Sequence, residues 1–161
     1  FKDEGSYPED KGGIVGLTKS TIATSTLDTP IVTLVKLGKI SPDESFNGVS
    51  NDAFQLSNAK IDDTTSQNKA FVLVVNGLET EECRNLISEM GNQWDYVGII
   101  SAPAGEDESA VLNKTELDAD KKAGTVLKSL SVAEDITSTD IVDEATCNIG
   151  GANNGIVFGS K

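Results

Sequence analysis

The feature that most constrains this chain of 161 residues is its pair of cysteines, Cys83 and Cys147, which stand 64 positions apart in a sequence without histidine. An even count, a wide gap and no Cys-x-x-Cys spacing favour one long-range disulfide over a metal or redox motif. Such a bond belongs to an oxidising, extracytoplasmic setting. Closing a loop of about 65 residues stabilises a fold by roughly 4 kcal/mol on the chain-entropy account.

The segments around the cysteines set the expected elements. Residues 1 to 26 are rich in Gly, Ser and Thr and read as loop with at most one short element, Ile14, Val15 and Leu17 offering the core contacts. The first helix follows: Asp28 or Thr29 can cap it, Pro30 suits its first position, Ile31, Leu34 and Val35 form an apolar stripe, and Gly38 ends it, with Lys36 and Lys39 near the carbonyl end. Turn signals fill residues 41 to 67, with Phe54 to Leu56 as a short strand. Ala70 to Val75 does not alternate and is Val-rich, so it predicts a strand buried on both faces that Asn76-Gly77 terminates.

Thr80 then serves as N-cap, Glu81 and Glu82 fall where the helix dipole favours acids, and Cys83, Leu86, Ile87 and Met90 recur at helical spacing up to Gly91. Cys83 is thereby placed on a buried helix face. Val97 to Ala102 predicts a further strand. Ala123, Val126, Leu127 and Leu130 repeat the helical spacing, which predicts an amphipathic helix over Leu117 to Leu130, weakened by Gly124. Ile136 and Ile141-Val142 are weaker strand candidates, and Ile156, Val157 and Phe158 form a final strand. This order departs from the regular alternation of a doubly wound sheet and fits a single α+β domain over residues 1–161, a mainly antiparallel sheet flanked by helices.

Composition excludes several functions. A net charge of −13 opposes binding to nucleic acid or anionic lipid, which need clustered Lys and Arg. The longest apolar run, Ala70 to Val75, is far shorter than the roughly 20 residues of a membrane span, and no signal peptide is recognisable. Without histidine, Ser-His-Asp and Cys-His catalysis are closed, and no cofactor site is expected.

Weaker motifs fail on inspection. Asp118-Ala119-Asp120 opens like a calcium loop, yet Lys122, Ala123 and Ser129 occupy its fifth, sixth and twelfth positions. Glu106, Asp107 and Glu108 suit a solvated acidic loop better than an irregular calcium site, within a stretch from Ala104 to Thr146 carrying 11 acidic residues against 4 Lys. Gly12, Gly13 and Gly16 lack the preceding strand of a phosphate cradle. Asn113-Lys114-Thr115 matches a glycosylation sequon.

The serial order of these parts is itself a pattern: an apolar strand, a turn, a capped helix bearing Cys83, then Cys147 and the closing strand GIVFG, Gly155 to Gly159. With GSYP (Gly5 to Pro8), LVKLGKISPDES (Leu34 to Ser45), KAF (Lys69 to Phe71) and FGS (Phe158 to Ser160), it resembles the globular domain of a type IVb pilin of the toxin-coregulated and longus-like branch. The resemblance implies that the C-terminal strand lies near the centre of the sheet and that the region between Cys83 and Cys147 is variable and surface-displayed. It also implies a non-enzymatic structural subunit of an extracellular bacterial pilus that supports adhesion and aggregation, with other pilin subunits as partners and the host-cell surface or neighbouring pili beyond them.

By the same resemblance, outward helix faces border neighbouring subunits, which makes Glu89, Asn92, Lys121 and Lys122 candidate subunit contacts. Pilins open with a long helix that anchors in the membrane and later forms the filament core. The chain begins near where that helix would end, so Phe1 is not read as a methylated first residue and a truncated or processed domain is expected, touching membrane only through the absent helix. A minor pilin acting in initiation or at the tip, and a secreted acidic glycan-binding module, are the alternatives.

Overall fold

The computed structural model describes residues 7–62, 69–132 and 134–161. Phe1 and the Gly5–Ser6 half of the GSYP motif lie outside them. Five strands, β1 (Gln55–Ala59), β2 (Ala70–Leu78), β3 (Tyr96–Ser101), β4 (Val126–Lys128) and β5 (Asn154–Ser160), form one sheet in the order β1-β2-β5-β3-β4 with every pairing antiparallel. Helix α1 (Pro30–Lys36) precedes β1, and α2 (Thr80–Met90), α3 (Ser109–Leu112) and α4 (Ser138–Val142) lie in the connections. The C-terminal strand is thus central, paired with β2 on one side and β3 on the other. Its six buried residues from Asn154 to Gly159 fit that place, since a central strand has both faces covered.

Register sorts the side chains onto two faces. Leu56, Leu73, Phe158 and Val97 lie in one cross-sheet row, and Val75, Ile156 and Ile99 in another on the same face. Helix α2 covers the β5 and β3 end of this face with Cys83 and Ile87. Helix α1 buries Ile31, Val32 and Val35 in a cluster that reaches Phe54 and Leu56 at the β1 end. The opposite face gathers Val72, Val74, Val157, Tyr96 and Val126 under Leu112 and Leu117 of the β3–β4 connection.

Strand β2 differs from the sequence reading in two ways. Phe71, Leu73 and Val75 are only half-buried and alternate with buried Val72 and Val74, so the strand is not covered on both faces. It also runs through Asn76-Gly77 to Leu78, with a register irregularity between Val75 and Leu78 that positive φ at Gly77 accommodates.

The helix expected over Leu117–Leu130 is not formed. Gly124 has φ +76°, and a Cβ there would lie 2.3 Å from the Ala145 carbonyl oxygen, so this position turns the chain instead of continuing a helix. The turn returns the chain as β4, and Val126 and Leu127 are buried from a strand edge. Ile141 and Val142, read as a strand, lie in α4, while Ile136 is buried between elements. Glu79, not Thr80, is the N-cap of α2, and its backbone N–H donates to the Glu82 carboxylate at 3.0 Å.

Candidate functional site: an apolar groove beside a stapled edge

The disulfide joins Cys83 on the inner face of α2 to Cys147, with Cα atoms 6.0 Å apart and both residues fully buried. Side chains of α2 reinforce this staple. Thr80 Oγ1 donates to the Cys147 carbonyl at 2.7 Å, and Arg84 donates to the carbonyls of Thr146 at 3.3 Å and Asp143 at 3.1 Å. The segment 143–147 is therefore held to one helix by a covalent bond and three hydrogen bonds.

Helix α4 has a capping box: Thr137 Oγ1 accepts from Asp140 N, and the Asp140 carboxylate accepts from Thr137 N at 2.9 Å. Lys121 approaches the same carboxylate at 3.1 Å. The Thr137 backbone bond, more than Lys121, keeps the Asp140 carboxyl below the usual carboxylate range.

Between α1 and α2 the sheet face over β2 is open. One cavity of about 390 Å³ has Phe54, Leu73, Val75, Leu86, Met90 and Phe158 among its walls, with Glu82, Asn85 and Glu89 of α2 along its rim. A second, of about 230 Å³, lies at the other end of the strand against Leu56 and Phe71, beside Tyr7, Pro8, Pro30 and Leu34. Together they make an apolar groove along β2. Tyr7, Phe71, Trp94 and Phe158 form a chain of ring contacts beside it, tilted, edge-to-face and stacked in turn, with ring centroids 5.1, 6.0 and 5.3 Å apart.

The four residues proposed from sequence as contacts fall on different segments. Glu89 is exposed and lines the groove. Asn92 follows α2, and its amide group both donates to the Ile136 carbonyl and accepts from the Ile136 N–H. Lys121 is committed to Asp140, and Lys122 is exposed at the turn before β4. No hydrogen bond or ion pair joins any two of these four among the described residues. Asp107 uses its carboxylate on Gln55 and Ser109, and no group of three or more His, Cys, Asp or Glu among the described residues is arranged to hold a metal ion. An apolar sheet face left open where a pilin's N-terminal helix would pack is implied by the resemblance, but which residues form it is not legible in the unbroken run from Ala70 to Val75.

A central C-terminal strand, a disulfide from α2 and an uncovered sheet face accompany a direct match in sequence: the family model for the toxin-coregulated pilus subunit TcpA matches residues 33–159. The chain belongs to this pilin family. A toxin coregulated pilin of Vibrio cholerae is 33% identical over 138 residues, covering 80% of this chain and 57% of the relative. Another, from V. cholerae serotype O1, is 26% identical over 134 residues with the same coverage. The chain thus spans 57% of the length of these relatives.

The crystal structure of TcpA, a type IV pilin from the V. cholerae El Tor biotype, superposes with a TM-score of 0.69 at 23% identity, covering all of this chain and 88% of that one. The fold is therefore that of a type IV pilin globular domain. The TcpA family comprises structural pilins, not enzymes, and no helix among the described residues is long and apolar enough to cross a membrane.

Proposed function

We propose that this chain is the globular domain of a structural subunit in a type IVb pilus, displayed on the outside of a bacterial filament. The observation that carries the reading is the apolar groove over β2: Leu73, Val75 and Phe71 are left half-buried between α1 and α2, on a sheet that is otherwise covered. Contiguous apolar surface of this kind marks a place where another element or partner packs. An apolar helix, such as the N-terminal filament-core helix that the pilin resemblance implies, has the chemistry to fill it. Family membership over residues 33–159 supports the same assignment.

In this reading the stapled edge from Cys83 to Cys147 faces outward. Glu89, Asn92, Lys121 and Lys122 remain candidate contacts between subunits, with Asn92 and Lys121 acting partly through the loops they hold. Adhesion and aggregation follow from association of neighbouring filaments or from contact with a host surface.

The test is immunogold electron microscopy of the native bacteria with antibody raised against this domain. Gold along the whole length of thin filaments is the expected result. Gold confined to filament tips would assign a minor pilin, and gold on filament-free secreted material would assign the secreted binding module; either overturns the proposal.

A further inference from the structure

We infer that Asp10, Gln55 and Asp107 form a proton-controlled clasp that fastens the N-terminal segment to β1 and the β3–β4 connection more firmly in mildly acidic surroundings than at neutral pH. Three segments distant in sequence meet there. Asp10 is 2% exposed and Gln55 1%. The Gln55 amide nitrogen donates to the Asp10 carboxylate at 2.6 Å and also to the Asp107 carboxylate, while its oxygen accepts from Glu108 N at 2.9 Å. Every polar atom of Gln55 is thereby engaged, and the amide orientation is fixed by its acceptor bond. Asp10 also accepts from Gly13 N at 2.8 Å and donates its own N–H to Ser57 Oγ at 3.1 Å. Gly13, at φ +69°, lets the N-terminal turn press against Asp107, whose carboxylate occupies the place a Cβ would take.

This arrangement sets two carboxylates on either side of one amide group. Among the described residues, the influences on Asp10 are its own burial, Gln55, Gly13, Thr29 and Asp107, with no cation among them. Burial first, and Asp107 in addition, push the Asp10 carboxyl above its usual range. Glu108 is displaced in the same direction, by burial and then by Glu106 and Asp107. Three donors oppose the Asp10 shift, the Gln55 amide, the Gly13 N–H and the Thr29 hydroxyl, and burial outweighs them. Protonation of Asp10 removes a charge from a side chain that is 2% exposed.

The sign follows from linkage. A carboxyl whose folded pKa lies above its unfolded value binds its proton more tightly in the fold, so the clasp gains stability as pH falls from neutrality towards the ordinary carboxylate range. The general repulsion of a chain at −13 also relaxes on acidification, so the decisive quantity is how the difference between wild type and Asp10→Asn changes with pH. The variant lacks the charge and, with one acceptor oxygen for the donors Gln55 and Gly13, also lacks one bond at every pH.

Thermal unfolding of the full chain, disulfide intact and in EDTA, should be followed from about pH 7 to about pH 5. Wild type is expected to gain a few degrees relative to the variant as pH falls. A difference independent of pH, or one that moves the other way, overturns the clasp. Amide exchange of the wild type, corrected for its intrinsic pH dependence, gives a reading that needs no variant. Protection at Gly13 and Glu108 should rise severalfold on acidification, and unchanged protection refutes the inference. Replacing EDTA with calcium supplies the remaining arm: a stabilisation of wild type lost in Asp10→Asn would assign these carboxylates to a cation and overturn proton control.

Discussion

Asp140 joins two loops through a single carboxylate. It accepts from Thr137 N and from Thr137 Oγ1 at 3.0 Å, and it meets Lys121 at 3.1 Å. Asp140→Asn keeps the shape but removes the charge shared by these three donors, so it should lower stability by about 1 kcal/mol, as loss of a helix cap does. Because its folded pKa is depressed, this contribution is present above the ordinary carboxylate range and disappears as pH falls through the folded value, a sign opposite to that of Asp10. Urea unfolding of wild type and variant at neutral and acidic pH checks it: the difference should shrink in acid. Gly124 gives the other prediction of this scale. Gly124→Ala places a methyl group against the Ala145 carbonyl oxygen at positive φ, and a cost of about 1–3 kcal/mol is expected in the same assay.

Among the elements, α2 and the segment 143–147 behave as one unit, since the disulfide and the bonds from Thr80 and Arg84 link the same two pieces of chain. Replacing both cysteines with alanine should cost about 2–5 kcal/mol. Hydrogen exchange should show the loss concentrated in residues 138–147, whereas the sheet strands keep their protection; uniform loss would mean that the staple serves the whole core. Elements of this kind were legible where local chemistry and packing agree. Pro30 with the Ile31, Leu34 and Val35 stripe marks α1, and the Cys83 to Met90 stripe after two glutamates marks α2. Ala123, Val126, Leu127 and Leu130 have the same periodicity, yet they belong to a turn and an edge strand. Pairing of β4 with β3 overrides the helical spacing there, and Gly124 was the one local sign of it. For α4 a signal existed in Thr137-x-x-Asp140, the capping-box spacing, which outweighs the β-branched pair Ile141-Val142. The clasp and the groove had no local signature, because each is made by residues about 45 or more positions apart or by a face left uncovered.

For the whole molecule, the two dominant facts are a net charge of −13 and an apolar groove whose α2 rim carries Glu82 and Glu89. Seven residues apart on one helix, these glutamates stand on the same side, about 10 Å from each other along the axis. A helix seated in the groove would then gain from an apolar stripe on Leu73 and Val75 and from Lys or Arg on the flank facing α2. A model amphipathic peptide with leucines on one face and two lysines seven residues apart beside them is expected to bind this domain, more weakly as salt rises. Charge alone could draw any cationic peptide to so acidic a chain, and Leu73→Asp separates the two causes. It makes the domain still more negative while spoiling the apolar floor, so attraction by charge would strengthen and seating in the groove would be lost. Calorimetric titration should show binding abolished in Leu73→Asp and its salt dependence reduced in Glu89→Gln. Tighter binding to Leu73→Asp would mean that the groove receives no helix, and the reading of Glu89 as a contact residue would fall with it.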